Sequence, residues 1–465
     1  MVLTQTLHRR ELLRNASCGF GMLALAEMCR RTAAADGAGS PTSEPGPLAP
    51  KPPHFAPRAK HVIFLFMVGG PSQYDTFDHK PRLNLDDGKP SREKSKQVIG
   101  TPWKFAQRGE SGLPVSELFP HVAEQADSLC MLHGLHGDNA CHNEATLQLH
   151  TGSAQFVRPS LGAWTLYGLG TENQDLPGFI SIAPRIEAAA AQCSGSAFLP
   201  AINQGTRIGN SKHPIAQSKF SNLANPRLSA AAQRKQLDLI QSLNRDRLSS
   251  TGDNAQLEGV IQSYELAFRM QSELPRVMDL SGETQATLKA YGVGEGRPTD
   301  NFGRQCLMAR RFVESGVRFV EVCHEFWDHH TGLRQGLAKE CLATDQPIAA
   351  LLADLKQRDL LKETLVVWGG EFGRTPNNDK ADGRGHNPNG YTMWLAGGGV
   401  KGGLAYGSTD EYGYEAVEGR VHLHDLHATI LHLLGLDHEQ LTYRYSGRDF
   451  RLTDVHGRVV NEILA

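Results

Sequence analysis

The chain has 465 residues, 40% of them hydrophobic, and a formal net charge of −2. A chain of this length can bury a large core. The near-neutral charge argues against a nucleic-acid-binding surface, and no run of 18 apolar residues indicates a transmembrane segment. Twenty histidines and 48 glycines are high counts that fit a metal site at strand ends, although histidine-rich surfaces are also common.

The first 35 residues are predicted to be a targeting segment that is not part of the fold. Arg9-Arg10 begin a close match to a twin-arginine signal, a modest apolar stretch runs from Gly19 to Ala26, and Ala33 to Ala35 form a small-residue cleavage site. This pattern predicts export by the twin-arginine machinery and a periplasmic or otherwise exported location. Residues 36–59 are rich in Pro, Gly, Ala and Ser, which predicts a disordered linker.

The folded domain is predicted to begin at the continuous apolar run from His61 to Val68. Continuous hydrophobicity is typical of a strand buried on both faces, as in the centre of a parallel sheet. Further strands are predicted at 128–132, 176–182, 316–322, 365–368 and 390–396, and helices at 116–126, 143–149, 230–270, 302–315, 337–357 and 423–434. The alternation predicts an α/β domain over residues 60–465 with a mainly parallel sheet. A helical insertion is predicted over about residues 228–292.

Carboxylates and histidines follow several of these strands. Ligands bind at the carboxyl ends of strands in open α/β sheets, so we expect such side chains to converge on one edge. They are Asp75 and Asp78 after the first strand, His133, His136 and His142 after the second, Asp328 and His330 after the strand at 316–322, and Glu371 and His386 after the strand at 365–368. Mixed Asp, Glu and His ligands suit zinc, manganese or iron, whereas all-oxygen subsets suit magnesium or calcium.

The strongest local signal is the segment from Leu365 to Pro376. Its apolar strand stops at Gly369-Gly370, and Glu371 and Arg374 follow at once. One interpretation places both side chains in a functional site. The other is that Glu371 and Arg374 only pair with each other in a turn.

Several motifs resemble an exported bacterial family catalogued as domain of unknown function 1501, within the alkaline phosphatase and sulfatase superfamily. The motifs are Gly69-Gly-Pro-Ser72, Asp75-Thr-Phe-Asp78, Trp327-Asp-His-His330, Gly370-Glu-Phe-Gly-Arg-Thr-Pro376 and His386-Asn-Pro388. The resemblance covers roughly residues 58 to 465. It implies an alkaline-phosphatase-like three-layer sandwich with a mainly parallel central sheet.

The resemblance also implies roles for individual positions. In hydrolases of the superfamily the nucleophile lies ten residues before the Gly of a Thr-Gly pair, at a helix N-terminus. Counting back from Gly152 reaches His142, where a Ser, a Thr or a modified Cys would be expected. Where the superfamily has an Asp-His pair, this chain has Glu371-Phe372. The superfamily also has an acidic ligand directly after the first strand, and Asp75, a few residues further on, would take its place. His386 corresponds to the final metal-binding histidine.

Two functional hypotheses follow. The first is an exported, sulfatase-like hydrolase of phosphate or sulfate esters, such as sulfated or phosphorylated glycans, that depends on a divalent cation: zinc, calcium, magnesium or manganese. Its predicted metal ligands are Asp75, Asp328, His330, Glu371 and His386, its predicted general acid or base is His142, and its predicted anion-binding residue is Arg374. The second is a non-catalytic member of the same fold that binds a metal, an anion or a glycan, or acts in an exported complex. Convergence of the predicted ligands on one point would favour the enzyme.

Overall fold

The computed structural model describes residues 48–186, 188–218, 227–251 and 255–465. The predicted signal segment at 1–35 and the first part of the predicted linker lie outside the described residues. In the part of the chain that is described, no helix is both long and apolar enough to cross a membrane.

Residues 48–59 differ from the expected disordered linker, because they pack onto the domain. The Lys51 amide donates to the Leu169 carbonyl at 2.9 Å, and the Ala59 amide donates to the Leu433 carbonyl at 2.8 Å. Leu48 and Ala59 are both buried. The composition of this stretch predicted disorder, but tertiary contacts satisfy its backbone and bury its apolar side chains.

A central sheet organises the described residues, and nine of their strands belong to it. The strands are β1 (His61–Met67), β2 (Leu129–His136), β3 (Phe179–Ile182), β4 (Thr206–Ile208), β5 (Phe319–His324), β6 (Thr364–Gly369), β7 (Tyr391–Ala396), β8 (Leu404–Tyr406) and β9 (Val421–His422). Their spatial order is β8-β2-β7-β6-β1-β5-β3-β4, and β9 also pairs with β2. Only the two pairings of β7, with β2 and β6, are antiparallel among these strands. The predicted mainly parallel sheet is confirmed.

The helices and the short hairpins surround this sheet. The described helices are α1 (Gln73–Thr76), α2 (Pro81–Leu85), α3 (His142–Thr151), α4 (Leu161–Leu169), α5 (Ala188–Cys193), α6 (Ala230–Thr251), α7 (Ala255–Met278), α8 (Gln285–Ala290), α9 (Asp300–Glu314), α10 (Leu333–Gln357) and α11 (Leu423–Leu433). Two-stranded hairpins join Phe105–Arg108 to Leu113–Ser116, Gly373–Asn378 to Arg384–Asn387, Ser408–Thr409 to Ala416–Glu418, and Tyr443–Tyr445 to Arg448–Phe450. Helices α6, α7 and α8 lie where the helical insertion was predicted.

Strand β1 shows why the fold has three layers. Successive side chains of a strand point to opposite faces of the sheet. Ile63 and Leu65 belong to the hydrophobic core formed with α9 and α10, whereas Phe64 and Phe66 belong to the core formed with α4 and α11. Helices therefore cover both faces, as a continuous apolar strand requires.

Two predicted elements differ from the structure. Residues 116–126, predicted as a helix, contain the end of the strand Leu113–Ser116 and most of a 3-10 helix, Val122–Ser128. Pro120 disfavours helical backbone at the residue before it, which explains the interruption. Strand β2 is longer than predicted, so His133 lies inside it and its Nδ1 is 3.0 Å from Oγ1 of Thr392.

The turn after β1 requires glycine at two positions. Gly69 has a φ of 116° and Gly70 a φ of 77°. A β carbon on Gly69 would lie 2.6 Å from the Asp328 amide nitrogen, and one on Gly70 would lie 2.7 Å from the Phe372 ring. The turn thus allows the end of β1 to contact the segments that carry Asp328 and Phe372.

Substituting Gly70 should therefore destabilise the fold more than substituting a glycine with the same backbone angle in open space. Gly88 is the matched control, since its φ is 78° and a β carbon there would meet no atom within 4 Å. Gly88→Ala should cost only the backbone strain, of order 1–3 kcal/mol. Gly70→Ala should cost more because of the Phe372 ring. Urea unfolding of both variants measures the difference, and equal losses would contradict this account.

Candidate metal centre

Four side chains from three segments meet at the carboxyl edge of the sheet. His142 is the first residue of α3, Asp328 and His330 lie in the loop that follows β5, and His386 lies in the strand Arg384–Asn387. One donor atom from each lies within 4.8 Å of the others. Three of the four, Asp328, His330 and His386, were predicted as metal ligands from the sequence.

The hairpin of Gly373–Asn378 and Arg384–Asn387 places His386 beside His330. His386 is paired with Arg374 across this hairpin. At Gly383, a β carbon would lie 1.9 Å from the carbonyl carbon and oxygen of His330, so only glycine permits this approach of the two backbones. The hairpin therefore closes against the loop after β5, and the two imidazoles face each other.

Each of the three histidines has its Nδ1 atom against an oxygen that can only accept a hydrogen bond. The pairs are His142 with Oε1 of Glu371 at 2.6 Å, His330 with Oδ2 of Asp379 at 2.7 Å, and His386 with the carbonyl of Ala140 at 2.6 Å. A neutral imidazole carries one proton, and these acceptors assign it to Nδ1. In the neutral form of each ring, Nε2 is therefore left with a free lone pair.

The Nε2 atoms converge on each other and on one carboxylate. Those of His330 and His386 are 2.8 Å apart, and they lie 3.1 and 3.2 Å from Oδ1 of Asp328. The Nε2 atom of His142 lies 3.1 Å from Oδ2 of Asp328 and, among the described residues, is buried without a hydrogen bond of acceptable geometry. Lone pairs and a carboxylate at these separations repel unless a positive charge, either an added proton or a metal ion, lies among them.

A metal ion fits this donor set. Imidazoles whose Nδ1–H groups bind a carboxylate or a carbonyl are the usual histidine ligands of metals. Donors about 2.0–2.1 Å from a tetrahedral zinc ion lie about 3.3 Å apart, close to the separations seen here. Three nitrogens and one carboxylate suit zinc, manganese or another transition metal. Calcium and magnesium, which prefer oxygen ligands, fit less well.

The charged groups of the centre shift the pKa values of their neighbours. Burial alone would raise the pKa of Asp328, but the neighbouring imidazoles of His142 and His386 and the charge of Arg374 hold it well below its usual range. Burial would lower the pKa of His142, yet the neighbouring carboxylates of Asp328 and Glu371 raise it to about 9 in the metal-free protein.

Glu371, predicted as a metal ligand, lies behind His142 and does not face the other donors. Both of its oxygens accept from the Gly69 amide, at 3.0 and 3.1 Å, and Oε1 also binds Nδ1 of His142. Its side chain is completely buried. The geometry therefore gives Glu371 the role of orienting His142. The alternative pairing of Glu371 with Arg374 is not formed, since Arg374 pairs with Asp328.

Asp75, also predicted as a ligand, does not reach the centre. It forms a fully buried ion pair with Arg384, at 2.9 and 3.3 Å, and accepts a hydrogen bond from Oγ of Ser72 at 2.5 Å. The residue lies in the short helix α1, which turns it towards the interior. Asp75 thus anchors the hairpin strand that carries His386.

Arg374, predicted to bind an anion, has a side chain that is only 1% exposed. Its guanidinium donates to Oδ1 of Asp328 at 2.6 Å and to four backbone carbonyls, those of Gly69, Gly70, Trp327 and Arg384. These contacts and the burial of the side chain leave Arg374 out of reach of a substrate. Arg374 positions Asp328 and the surrounding turns.

Sequence reasoning missed three contributors. Asp379 lies on the same hairpin as His386. Its closeness to His386 in the sequence could have indicated that it belongs to the site. The ring of Phe372 stacks 4.3 Å from that of His386 and lies 4.9 Å from that of His142, forming an apolar wall. The carbonyl of Ala140 has no sequence signal, because any residue there supplies one.

Comparison with known proteins identifies the family. Residues 59–464 match the family described as "Protein of unknown function (DUF1501)", and the chain belongs to that family. A search of the curated proteins found no match.

Similar solved structures include members of the alkaline phosphatase superfamily. A protein of that superfamily from Vibrio parahaemolyticus is 10% identical, with 92% of this chain and 75% of that chain covered and a TM-score of 0.39. The lipoteichoic acid synthase LtaP from Listeria monocytogenes is 8% identical, with 87% and 78% covered and a TM-score of 0.38. The PsFucS1 sulfatase from Pseudoalteromonas sp. is 13% identical, with 82% and 68% covered and a TM-score of 0.36. Similarity at this level carries no argument about activity.

Replacing Glu371 tests its assigned position behind His142. Glu371→Gln keeps the shape of the side chain but removes the charged acceptor of the His142 Nδ1–H group. Loss of such a partner typically weakens metal affinity about 10–100-fold, and we expect a decrease of that size for zinc. Competition with a chelator measures the affinity. A loss as complete as that in Asp328→Asn would show that Glu371 is itself a ligand.

The metal-free protein should lose stability as the pH rises from about 6.5 to about 9. A histidine has a pKa of about 6.5 when unfolded, and the folded value for His142 is raised to about 9. Its stabilising contribution is therefore complete below pH 6.5 and is lost as the pH rises through 9. Thermal unfolding of chelator-treated protein measures this decline, which should be smaller in His142→Gln. A melting temperature that rises over this interval would contradict the assignment.

Proposed function

We propose that this protein is a metal-dependent hydrolase of phosphate or sulfate esters, with His142, Asp328, His330 and His386 as the metal ligands. The observation that carries the proposal is the convergence of the Nε2 atoms of three histidines and one carboxylate at the edge of the sheet. The four side chains are between 17% and 41% exposed, so a substrate can approach.

The bound ion would act as a Lewis acid, polarising the ester and lowering the pKa of a water molecule. The chain's own residues hold the arrangement. Glu371, Asp379 and the Ala140 carbonyl keep the proton of each imidazole on Nδ1, while Arg374 holds Asp328. Phe372 covers one side of the centre and excludes water there.

The start of α3 supports an anionic substrate. His142 is the first residue of this ten-residue helix, so the positive end of the helix dipole points towards the centre. Backbone N–H groups at a helix N-terminus commonly bind phosphate or sulfate groups. Nδ1 of His142 binds Glu371, and its Nε2 faces Asp328. We therefore propose that His142 is a metal ligand and not the expected general acid or base.

A non-catalytic metal-binding protein is the second candidate. Two observations favour it: four protein donors converge in the centre, the number typical of structural sites, and Arg374 is too deeply buried to contact a substrate. We also propose export by the twin-arginine machinery, on the basis of Arg9-Arg10 and the stretch that follows. Fractionation of cells producing a chain with both arginines changed to Lys tests this, with cytoplasmic retention expected.

Metal analysis combined with activity assays tests the proposed function. Purified protein should bind stoichiometric zinc or manganese and hydrolyse members of a panel of aryl phosphates and aryl sulfates. His386→Ala should lose the metal and lower the rate at least about 100-fold, since it removes a ligand. The matched control is His213→Ala, which removes an exposed histidine away from the centre and should leave both unchanged.

Two outcomes separate the candidates. Stoichiometric metal without hydrolysis of any ester in the panel would favour the binding protein. Absence of bound metal after incubation with zinc and with manganese, together with a melting temperature that neither ion raises, would refute both, because a ligand that binds only the folded state must stabilise it.

A further inference from the structure

Three cavities run in series beside α3, and neighbouring cavities share lining residues. The first, of about 320 Å³, lies between Asp138 and the start of α11. It shares His424 and His456 with a second cavity of about 160 Å³ at the end of α3. The second shares Arg158 and Phe198 with a third cavity of about 500 Å³ that reaches α7. We call these three neighbouring cavities together the α3 groove.

One end of the groove is connected to the metal centre through residues 137–141. In this loop the carboxylate of Asp138 lies 3.2 Å from Nε2 of His422 at the groove, while the Ala140 carbonyl binds His386 at the centre. Helix α3 then extends for about 15 Å from His142 to Thr151, which lines the second cavity. Three neighbouring cavities with shared lining residues suit a chain-like ligand better than a compact one.

The middle of the groove carries a cation stacked on aromatic rings. The guanidinium of Arg158 lies 4.3 Å from the centre of the Phe450 ring and 5.3 Å from that of Phe156. The side chain of Phe156 is 62% exposed, and Val157 beside it is 63% exposed. Exposed aromatic and apolar side chains grouped around a cavity are typical of binding sites.

The charges in the groove are unevenly satisfied. Asp454 pairs with Arg448, and Asp138 pairs with His422. Arg158 lies within the electrostatic influence of Asp454 but donates no hydrogen bond to any residue in the described part of the chain. An arginine with free N–H groups in a cavity can bind a sulfate or a carboxylate through two parallel hydrogen bonds.

His424 gives a second unsatisfied group. It is only 6% exposed, lines the first two cavities, and its Nδ1 has no hydrogen-bond partner among the described residues. A buried polar atom without a partner is unfavourable, and a ligand hydroxyl in the groove would satisfy it.

We propose that the α3 groove binds an acidic oligosaccharide. The exposed ring of Phe156 would pack against a sugar ring, and Arg158, which is stacked on Phe450, would bind a sulfate or carboxylate substituent. Hydroxyl groups would meet polar side chains that line the cavities, namely Ser153, Gln192, Ser196 and Gln204. The site is separate from the metal ligands, so the proposal does not depend on hydrolysis.

Calorimetry on the full chain tests the proposal with two acidic probes, a sulfated galactan hexasaccharide and an oligogalacturonate hexamer. At least one should bind, and removal of its acidic groups by desulfation or methyl esterification should weaken binding at least about tenfold. Arg158→Gln and Phe156→Ala should each weaken it to a similar extent. Arg158→Lys, which keeps the charge but not the planar donors, should fall between wild type and Arg158→Gln.

Controls separate this site from other effects. Arg92→Gln removes another guanidinium stacked on an aromatic ring, 4.4 Å from the centre of Tyr414 and outside the groove, and should leave binding unchanged. His386→Ala, which removes a proposed metal ligand, should also keep the saccharide affinity of the wild type. A failure of the metal proposal can therefore be distinguished from a failure of the saccharide proposal. No binding of either hexamer, or equal binding by Arg158→Gln, would overturn the proposal. Equally tight binding of inorganic polyphosphate would overturn the saccharide assignment.

Discussion

The candidate centre depends on the hydrogen bonds that the buried guanidinium of Arg374 donates. A buried charge is tolerated only when its donors are matched by acceptors. The hydrogen bonds of Arg374 connect the turn after β1, the loop after β5 and the hairpin strand that contains Arg384. These three segments are far apart in sequence. The same group holds Asp328 at 2.6 Å. The arrangement of these segments around Arg374 therefore sets the position of the only carboxylate among the four converging side chains.

Around that anchor, the centre is built in two shells. Four donors converge in the inner one, while Glu371, Asp379 and the Ala140 carbonyl direct the protons of the three imidazoles away from it. The buried Asp75–Arg384 pair supports the hairpin from below. This division explains why two of the five predicted ligands lie outside the cluster of donors: Glu371 contacts His142, and Asp75 pairs with Arg384.

Sequence reasoning singled out side chains that the structure brings together, and others that it places outside the cluster. Asp328, His330 and His386 follow strands of a parallel sheet, and the geometry of such sheets brings strand ends together. Glu371 meets the same criterion, yet the Gly69 amide and His142 bind both of its oxygens. Arg374 looked available for an anion because nothing in the chain indicates that backbone carbonyls from distant turns surround it. His142 was singled out, but as a catalytic group.

Local pattern by itself determined the class of the domain, the central strands and the edge at which the polar residues gather. Those features follow from short-range rules: apolar continuity, glycine at strand ends and alternation of strand and helix. Only the tertiary structure decided which polar groups face the centre, which stand behind it, and which residues line the neighbouring cavities along α3. These outcomes depend on pairings between residues hundreds of positions apart, such as Glu371 with Gly69, and no local pattern in a single sequence encodes such pairings.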